Sequence, residues 1–448
     1  MKNIYHSDIY KFDTPVSSYW EDISSENLNL EKLTKDINSE IVVIGGGYTG
    51  LLCAINLIEN HNLDVILVEA GKIGWGASSR NAGFNCLPPS KMSFKKMQSI
   101  YGIEETKKFF KNSVEGSNHT RDIIKEYNIQ CDVTGDCNYV VAHHKSKFEQ
   151  IKEQAEAYKS EFGIKTEIYS KEEFNEIGHG GTEQYGAFSY KPGFAINPLK
   201  FLNGIAKYGL SKKLKMFEHT KVNQITKENG SYVLKTKEGS IRSKKIVVAT
   251  NGFYQEGLIP QMDGRVLPVI SNIIVTRKLN EEEINIHNFK TFSPIANTKN
   301  LLYYYRKLPD ERILFGTRGD LTGSNLSNLD MSKKMEKFLK DIFPAWSNVT
   351  IDYNWRGLIA LSQKLTPSIG KIEGEEIYYG FGYNGVGVSA APWAGKQLSK
   401  LVFSSNSKEL DISKIYKGLP EKFIFPQLRT FYFRLAVWFY AIKDKLNI

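Results

Sequence analysis

The residues Gly45-Gly46-Gly47-Tyr48-Thr49-Gly50 follow the apolar run Ile41-Val42-Val43-Ile44, and Glu69 stands 24 residues after Gly45, at the end of a second apolar run, Val65-Ile66-Leu67-Val68. This arrangement suits a dinucleotide. Gly45 permits a tight turn out of a strand, Gly47 lets backbone approach phosphate oxygens, and Gly50 lets the following helix lie close to the sheet. Free N–H groups around Tyr48 and Thr49, reinforced by the helix dipole, would meet the pyrophosphate charge. A Glu69 carboxylate can accept hydrogen bonds from both hydroxyls of an adenosine ribose and would repel a 2′-phosphate, which disfavours NADP. The motif alone does not separate NAD from FAD.

The elements that must hold these residues are legible. Leu51, Ala54, Ile55 and Ile58 recur at i, i+3, i+4 and i+7, as a helix with one apolar face requires. A second strand–glycine–helix unit lies near the C-terminus: Ile377-Tyr378-Tyr379, then Gly382-Tyr383-Asn384-Gly385-Val386-Gly387, then a helical run from about residue 390 to 401. Its helix start would face another negative group; the plainer alternative is a surface turn capped by glycines.

Three further stretches carry a resemblance. Gly74-Trp75-Gly76-Ala77-Ser78-Ser79-Arg80-Asn81-Ala82-Gly83 resembles the Gly-Ala-Ser-Gly-Arg-Asn-Gly-Gly segment of the D-amino-acid oxidase superfamily, with the γ-glutamylputrescine oxidoreductase group the most similar in appearance. Lys244-Lys245-Ile246-Val247-Val248-Ala249-Thr250-Asn251-Gly252 is similar to that family's second FAD strand. Tyr353-Asn354-Trp355-Arg356-Gly357, Thr366-Pro367-Ser368-Ile369-Gly370 and the 382–387 run resemble its closing segment, and Ser18-Tyr19-Trp20 fits its leading one. The resemblance implies FAD rather than NAD. It places Ser78, Arg80 and Asn81 by the pyrophosphate and flavin, the Val222 backbone at the adenine, Thr250 and Gly252 over the dinucleotide, and Gly385, Val386 and Gly387 under the isoalloxazine ring. A helix start beneath that ring would favour the anionic reduced flavin. The run 355–387 holds no cysteine, so the expected FAD is non-covalent. Ser389 stands where some sarcosine-oxidising relatives carry a carboxylate-binding lysine, so that clamp does not carry over.

The composition bounds the rest. The chain has 448 residues, 41% apolar and 12% aromatic, enough for two domains with real cores. Lysine and arginine exceed the acids by 59 to 49, a net charge of +10, but no run of five basic residues occurs; nucleic-acid binding is disfavoured. The cysteines, Cys53, Cys86, Cys131 and Cys137, have no metal-type spacing, no HExxH or GxSxG occurs, and no metal is expected. With no apolar signal core at the start and no spanning run, the cytoplasm is the expected compartment.

The expected fold class is α/β (α+β): a Rossmann-like FAD-binding domain (39–92, 196–262, 350–405) interleaved with a β-sheet substrate domain (93–195, 263–349), an N-terminal arm (1–38) and a tail helix (406–448). Long helix is expected over 93–127, strand over 128–142 and 164–169, and a helix beginning at Asn197-Pro198. Two strands joined by Leu308-Pro309-Asp310-Glu311 read as a hairpin. Period two puts Tyr304 and Arg306 on one face of it and Arg312, Leu314, Gly316 and Arg318 on one face of the other strand. The family's substrate sheet covers the flavin there, which makes Tyr304, Arg306 and Arg318 the candidates to line the catalytic pocket, an arginine holding a carboxylate. Within 427–446, helical spacing of Leu428, Phe431, Tyr432, Leu435, Phe439, Ile442 and Leu446 reads either as a helix docked on its own core or as a monotopic membrane or partner-docking helix. The expected activity is FAD-dependent oxidation of a C–N bond in a small amine or amino acid, with oxygen or a quinone as electron acceptor. The alternatives are a flavoprotein subunit that needs a partner, or an NAD-dependent dehydrogenase.

Overall fold

The computed structural model describes residues 4–24, 26–406 and 410–446. Two sheets of eight strands each organise the chain. In the first, Ile377–Phe381, Ser240–Val248, Ile37–Ile44, Val65–Val68 and Lys215–Phe217 run parallel in that order. Ser368–Lys371 lies antiparallel on one edge, and Ser231–Lys235 and Gln224–Glu228 extend from Ser240–Val248. The segments Ile41–Ile44, Val65–Val68 and Ile246–Val248 are apolar and buried because both faces are covered there. Ile41, Val43, Val65 and Leu67 pack on the helices Tyr48–His61, Pro198–Ser211 and Gly387–Ser404. Val42, Ile44, Ile66 and Val68 pack on the opposite layer with Val222, Tyr232 and Leu258. The period-two switch along each strand produces this division.

The second sheet runs Ile351–Leu361, Leu267–Thr276, Ile313–Arg318, Tyr304–Lys307, Ile295–Asn297, Asn138–Val141, Ala187–Lys191, Lys165–Tyr169. It is antiparallel except where Ile295–Asn297 joins Asn138–Val141. One face packs on Met331, Met335, Leu339 and Ile342 of the helix Asn325–Ile342. Ser271, Ile273 and Tyr304 face the other way, toward the glycine loops.

Several boundaries differ from the sequence reading. The 93–127 helix is two helices, Phe94–Tyr101 and Ile103–Glu126, because Gly102 turns to φ +82° between them. Residues 128–137 are not strand: Asn128, Asp132 and Gly135 all have positive φ. The Ile351–Leu361 strand, assigned by sequence to the FAD segment, pairs with Leu267–Thr276 in the second sheet. The glycine-turn helix starts at Gly387, earlier than expected. The helix at Pro198 is capped by Asn197, whose Oδ1 accepts from the Leu199 and Lys200 N–H groups.

The helices Tyr48–His61 and Gly387–Ser404 meet at Gly395, where an added Cβ would lie 2.6 Å from the Thr49 carbonyl oxygen. Backbone cannot yield there as a side-chain end can. Gly395→Ala is expected to destabilise the protein by about 1–3 kcal/mol, read as a fall in the thermal midpoint. An unchanged midpoint would mean that this contact does not set the helix spacing.

Candidate functional site

The first glycine loop leaves Ile37–Ile44 at Gly45, whose φ of +113° suits glycine, and where a Cβ would lie 2.8 Å from the Ala249 carbonyl oxygen. At Gly50 a Cβ would lie 1.9 Å from the Gly45 oxygen, so the helix rests on the turn. Gly45, Gly47, Tyr48 and Thr49 border one large cavity; Gly50 does not, and its part is this packing. Glu69 borders it too. Its Oε2 accepts from the Gly46 N–H at 2.7 Å and its Oε1 from the Gly71 N–H at 3.0 Å, which fixes the carboxylate beside the loop. Burial raises its pKa, and those backbone donors oppose the rise.

The segment after Gly76 forms the next wall. The Ser78 hydroxyl accepts from the Tyr48 N–H at 3.1 Å, at the first helix's amino end. Asn81 Nδ2 donates to the Ala77 and Ser78 carbonyls and its Oδ1 accepts from the Gly83 N–H, so Asn81 shapes the backbone of the wall it lines. Arg80 lies 4.3 Å from the Trp75 ring centre and donates to the Trp75 and Arg356 carbonyls. Burial pushes its guanidinium down to about 9. Two indoles hold this stretch from outside: Trp20 donates to the Asn81 carbonyl and Trp355 to the Arg80 carbonyl.

Farther along the cavity stand Val222, Thr250 and Asn251. Gly252 does not border it; a Cβ there would lie 3.1 Å from Leu358 Cβ, so this glycine lets the turn lie against the Ile351–Leu361 strand. Gly385, at φ +92°, Val386 and Gly387 close the far end, where the second helix begins. The two helix starts are tied by the Thr49 hydroxyl and Tyr383 phenol, 2.7 Å apart. One cavity therefore has a helix amino terminus at Tyr48 and another at Gly387, each offering N–H groups to negative charge.

The hairpin brings Tyr304 and Arg318 to the cavity but not Arg306. Tyr304 pairs across from Gly316, where a Cβ would meet its ring at 2.1 Å. Glycine makes room for the phenol, which lies 2.8 Å from the Ser271 hydroxyl. Arg318 Nη2 lies 3.4 Å from where a Cβ on Gly385 would stand. Arg306 does share the Tyr304 face, but two residues along it lies past the cavity wall. Its Nη2 donates to the Ile196 carbonyl at 2.8 Å and its guanidinium lies 5.3 Å from the Trp20 ring centre. Trp20 of the N-terminal arm lies against it, while its Nε and Nη1 are buried with no partner in the protein.

Sequence reasoning missed Lys91, Asn384 and Ser271, which all border the cavity. Asn384 sits inside the quoted glycine turn. Lys91 follows Pro88-Pro89-Ser90 in an irregular stretch whose N–H is held by the Leu365 carbonyl, and no periodicity marks it. The residue is exposed, at the border of the cavity. Desolvation by the surrounding protein atoms, with Arg318 nearby, pushes its ammonium down to about 7.

Residues 40–401 match the family described as FAD dependent oxidoreductase, DAO. The chain belongs to that family. This FAD-dependent oxidoreductase is 27% identical over 451 residues to the probable oxidoreductase OrdL of Haemophilus influenzae, spanning 97% of this chain and 99% of that one. It is also 27% identical over 436 residues to the gamma-glutamylputrescine oxidoreductase of Escherichia coli, spanning 96% and 99%. Its fold matches the crystal structure of L-proline dehydrogenase from P. horikoshii with a TM-score of 0.69 at 21% identity, over 86% of this chain and 97% of that one. As a member of this FAD-dependent family, the enzyme uses FAD. The cavity fits that cofactor: Arg80 Nε, Thr250 Oγ1 and Asn384 Oδ1 are buried along it with no hydrogen-bond partner in the protein, and the space in front of Gly76 and Gly387 is open.

Glu69→Ala is expected to weaken FAD binding roughly 10- to 100-fold, the loss of a charge-assisted hydrogen bond worth about 1.5–3 kcal/mol. Titration of deflavinated protein with FAD, followed by fluorescence quenching, measures it. Unchanged affinity would remove Glu69 from the cofactor site.

Proposed function

We propose that this oxidoreductase oxidises a C–N bond of a small amine or amino acid that also carries an anionic group. The observation that carries this reading is a pair of cations with no counter-ion. Among the described residues no carboxylate pairs with Arg318 or with the Lys91 ammonium, although both border the cavity beside the second glycine turn. Two positive charges set side by side at a cavity with no carboxylate between them favour an anionic partner there. The relative from Escherichia coli is a gamma-glutamylputrescine oxidoreductase, and γ-glutamylputrescine is itself an amine that bears a carboxylate.

FAD, when bound, would supply two-electron acceptance of a hydride from the carbon that bears nitrogen, and the imine so formed would be hydrolysed by water to a carbonyl compound and the released amine or ammonia. The chain's own residues bind and orient. Arg318 and Lys91 take the anionic group and so fix which carbon faces the reacting end. Burial raises the Tyr304 phenol to about 12, so it stays protonated and can hydrogen-bond to substrate as donor or acceptor. Ile273, Leu302 and Ile359 supply apolar wall that limits water around the reacting carbon. Arg80, Asn81, Thr250 and the Gly385–Gly387 turn belong to the cofactor. The electrons leave to oxygen or to a quinone.

Steady-state kinetics on amines with and without a carboxylate test the reading. Arg318→Ala should raise KM for the carboxylate-bearing amine roughly 10- to 100-fold, about 1.5–3 kcal/mol for a hydrogen-bonded charge pair, and leave the amine without it nearly unaffected. An equal effect on both would contradict it. Running the assay with oxygen or a soluble quinone as the only acceptor identifies where the electrons go.

Lys91 adds a pH dependence. With its pKa pushed down to about 7, the side chain is charged below that pH and neutral above it. Its pull on an anionic substrate is present at pH 6 and lost as pH rises through 7, so KM should climb across that interval. Lys91→Met should remove the climb, while Arg318 stays charged throughout. A wild-type KM that is flat with pH would exclude Lys91 from substrate binding.

A further inference from the structure

The helix Arg429–Leu446 is fastened to the protein by polar contacts at its two ends. Near its start the buried Arg429 donates to the Val266 carbonyl at 2.5 Å and pairs with Glu256 at 2.7 Å. Near its end Asp444 accepts from the Asn300 and Leu301 N–H groups at 2.7 and 2.8 Å. The apolar side faces away from the protein. At 3.6 residues per turn, Phe431, Leu435, Trp438, Phe439, Ile442 and Leu446 fall on the side opposite Arg429, and Trp438 keeps 65% of its surface accessible and Phe431 52%. Ile424 and Phe425, just before the helix, are exposed as well. The expectation of a helix docked on its own core therefore fails: only Arg429 is buried.

We propose that this face lies on an anionic phospholipid surface, with the helix in the membrane plane. Charge decides between that surface and a second copy of the chain. The apolar stripe is bordered by Arg434 and Lys445 on one edge and by Lys443 on the other, and the helix's single acid, Asp444, is already bound to Asn300 and Leu301. A paired copy would set bases against bases. The helix also spans only about two and a half heptads, short of what a coiled coil requires. A bilayer of anionic headgroups complements the bases, while Trp, Phe and Leu enter the acyl boundary and the long basic side chains reach back to the phosphates. Among the described residues no helix is long and apolar enough to cross a membrane, so the contact is one-sided. The protein's net charge of +10 acts in the same direction.

Flotation of the purified, FAD-loaded, full-length protein tests this on vesicles of phosphatidylcholine alone or mixed with phosphatidylglycerol. The protein should float with the mixed vesicles, stay behind with phosphatidylcholine alone, and be released by salt. Trp438→Glu should abolish flotation with FAD content unchanged. Lys445→Gln, a surface change that leaves the apolar stripe intact, should weaken vesicle binding about fivefold, the equivalent of roughly 1 kcal/mol per basic residue. Failure to float with the mixed vesicles, equal flotation with both kinds, or a dimer in light scattering that Trp438→Glu dissociates would each overturn the proposal.

Discussion

FAD carries a charged pyrophosphate, and its ring becomes anionic on reduction, so a protein that binds it needs positive potential at two places. Two helix amino termini, at Tyr48 and at Gly387, open on one cavity here and would meet that need. Peptide dipoles are fixed by the fold and do not reorganise when charge develops. Much else follows from holding the two starts in register: the Gly395 contact, the Thr49–Tyr383 hydrogen bond, and a Gly50 that lets its helix rest on the Gly45 turn. The two tryptophans that grip the Arg80–Asn81 backbone serve the wall between them.

Cationic side chains around this frame divide by what they already hold. Arg356 is paired with Asp320 at 3.1 Å, and Arg80 and Arg306 give hydrogen bonds to carbonyl groups and lie over indole rings. Those three are structural first, although Arg80 keeps a free Nε toward the cofactor cavity. Arg318 and Lys91 hold nothing comparable. Arg318, at the end of a strand of the second sheet, and Lys91, in the stretch after Pro88-Pro89, bring uncompensated charge to the end of the cavity where the second helix starts. The proposed substrate recognition rests on that difference.

What could be read from the sequence was local. The first glycine loop, its flanking strands and Glu69 lie within a short stretch whose spacing is set by one βαβ unit, and the second glycine turn repeats the pattern. The hairpin register was legible because period two fixes which side chains share a face. How far the cavity extends along that face was not, since the arm that places Trp20 over Arg306 comes from a remote part of the chain. Lys91 was hidden for a different reason: it belongs to an irregular segment pinned by Leu365, where neither helical nor strand periodicity applies. Membership of the Ile351–Leu361 strand depends on pairing partners that hydrophobic pattern does not specify. In the tail, spacing identified the apolar face but not its direction. That direction follows from Arg429 and Asp444, whose polar contacts turn the face outward.

The central claim is that an FAD held between the two helix starts accepts electrons from an amine. The most direct measurement is the visible spectrum of the purified protein under anaerobic conditions while amines and amino acids are added one at a time. The account predicts a yellow protein whose flavin bands bleach with an amine that carries a carboxylate. A colourless protein that takes up no FAD, or a yellow one bleached only by a substrate without a C–N bond, would contradict it.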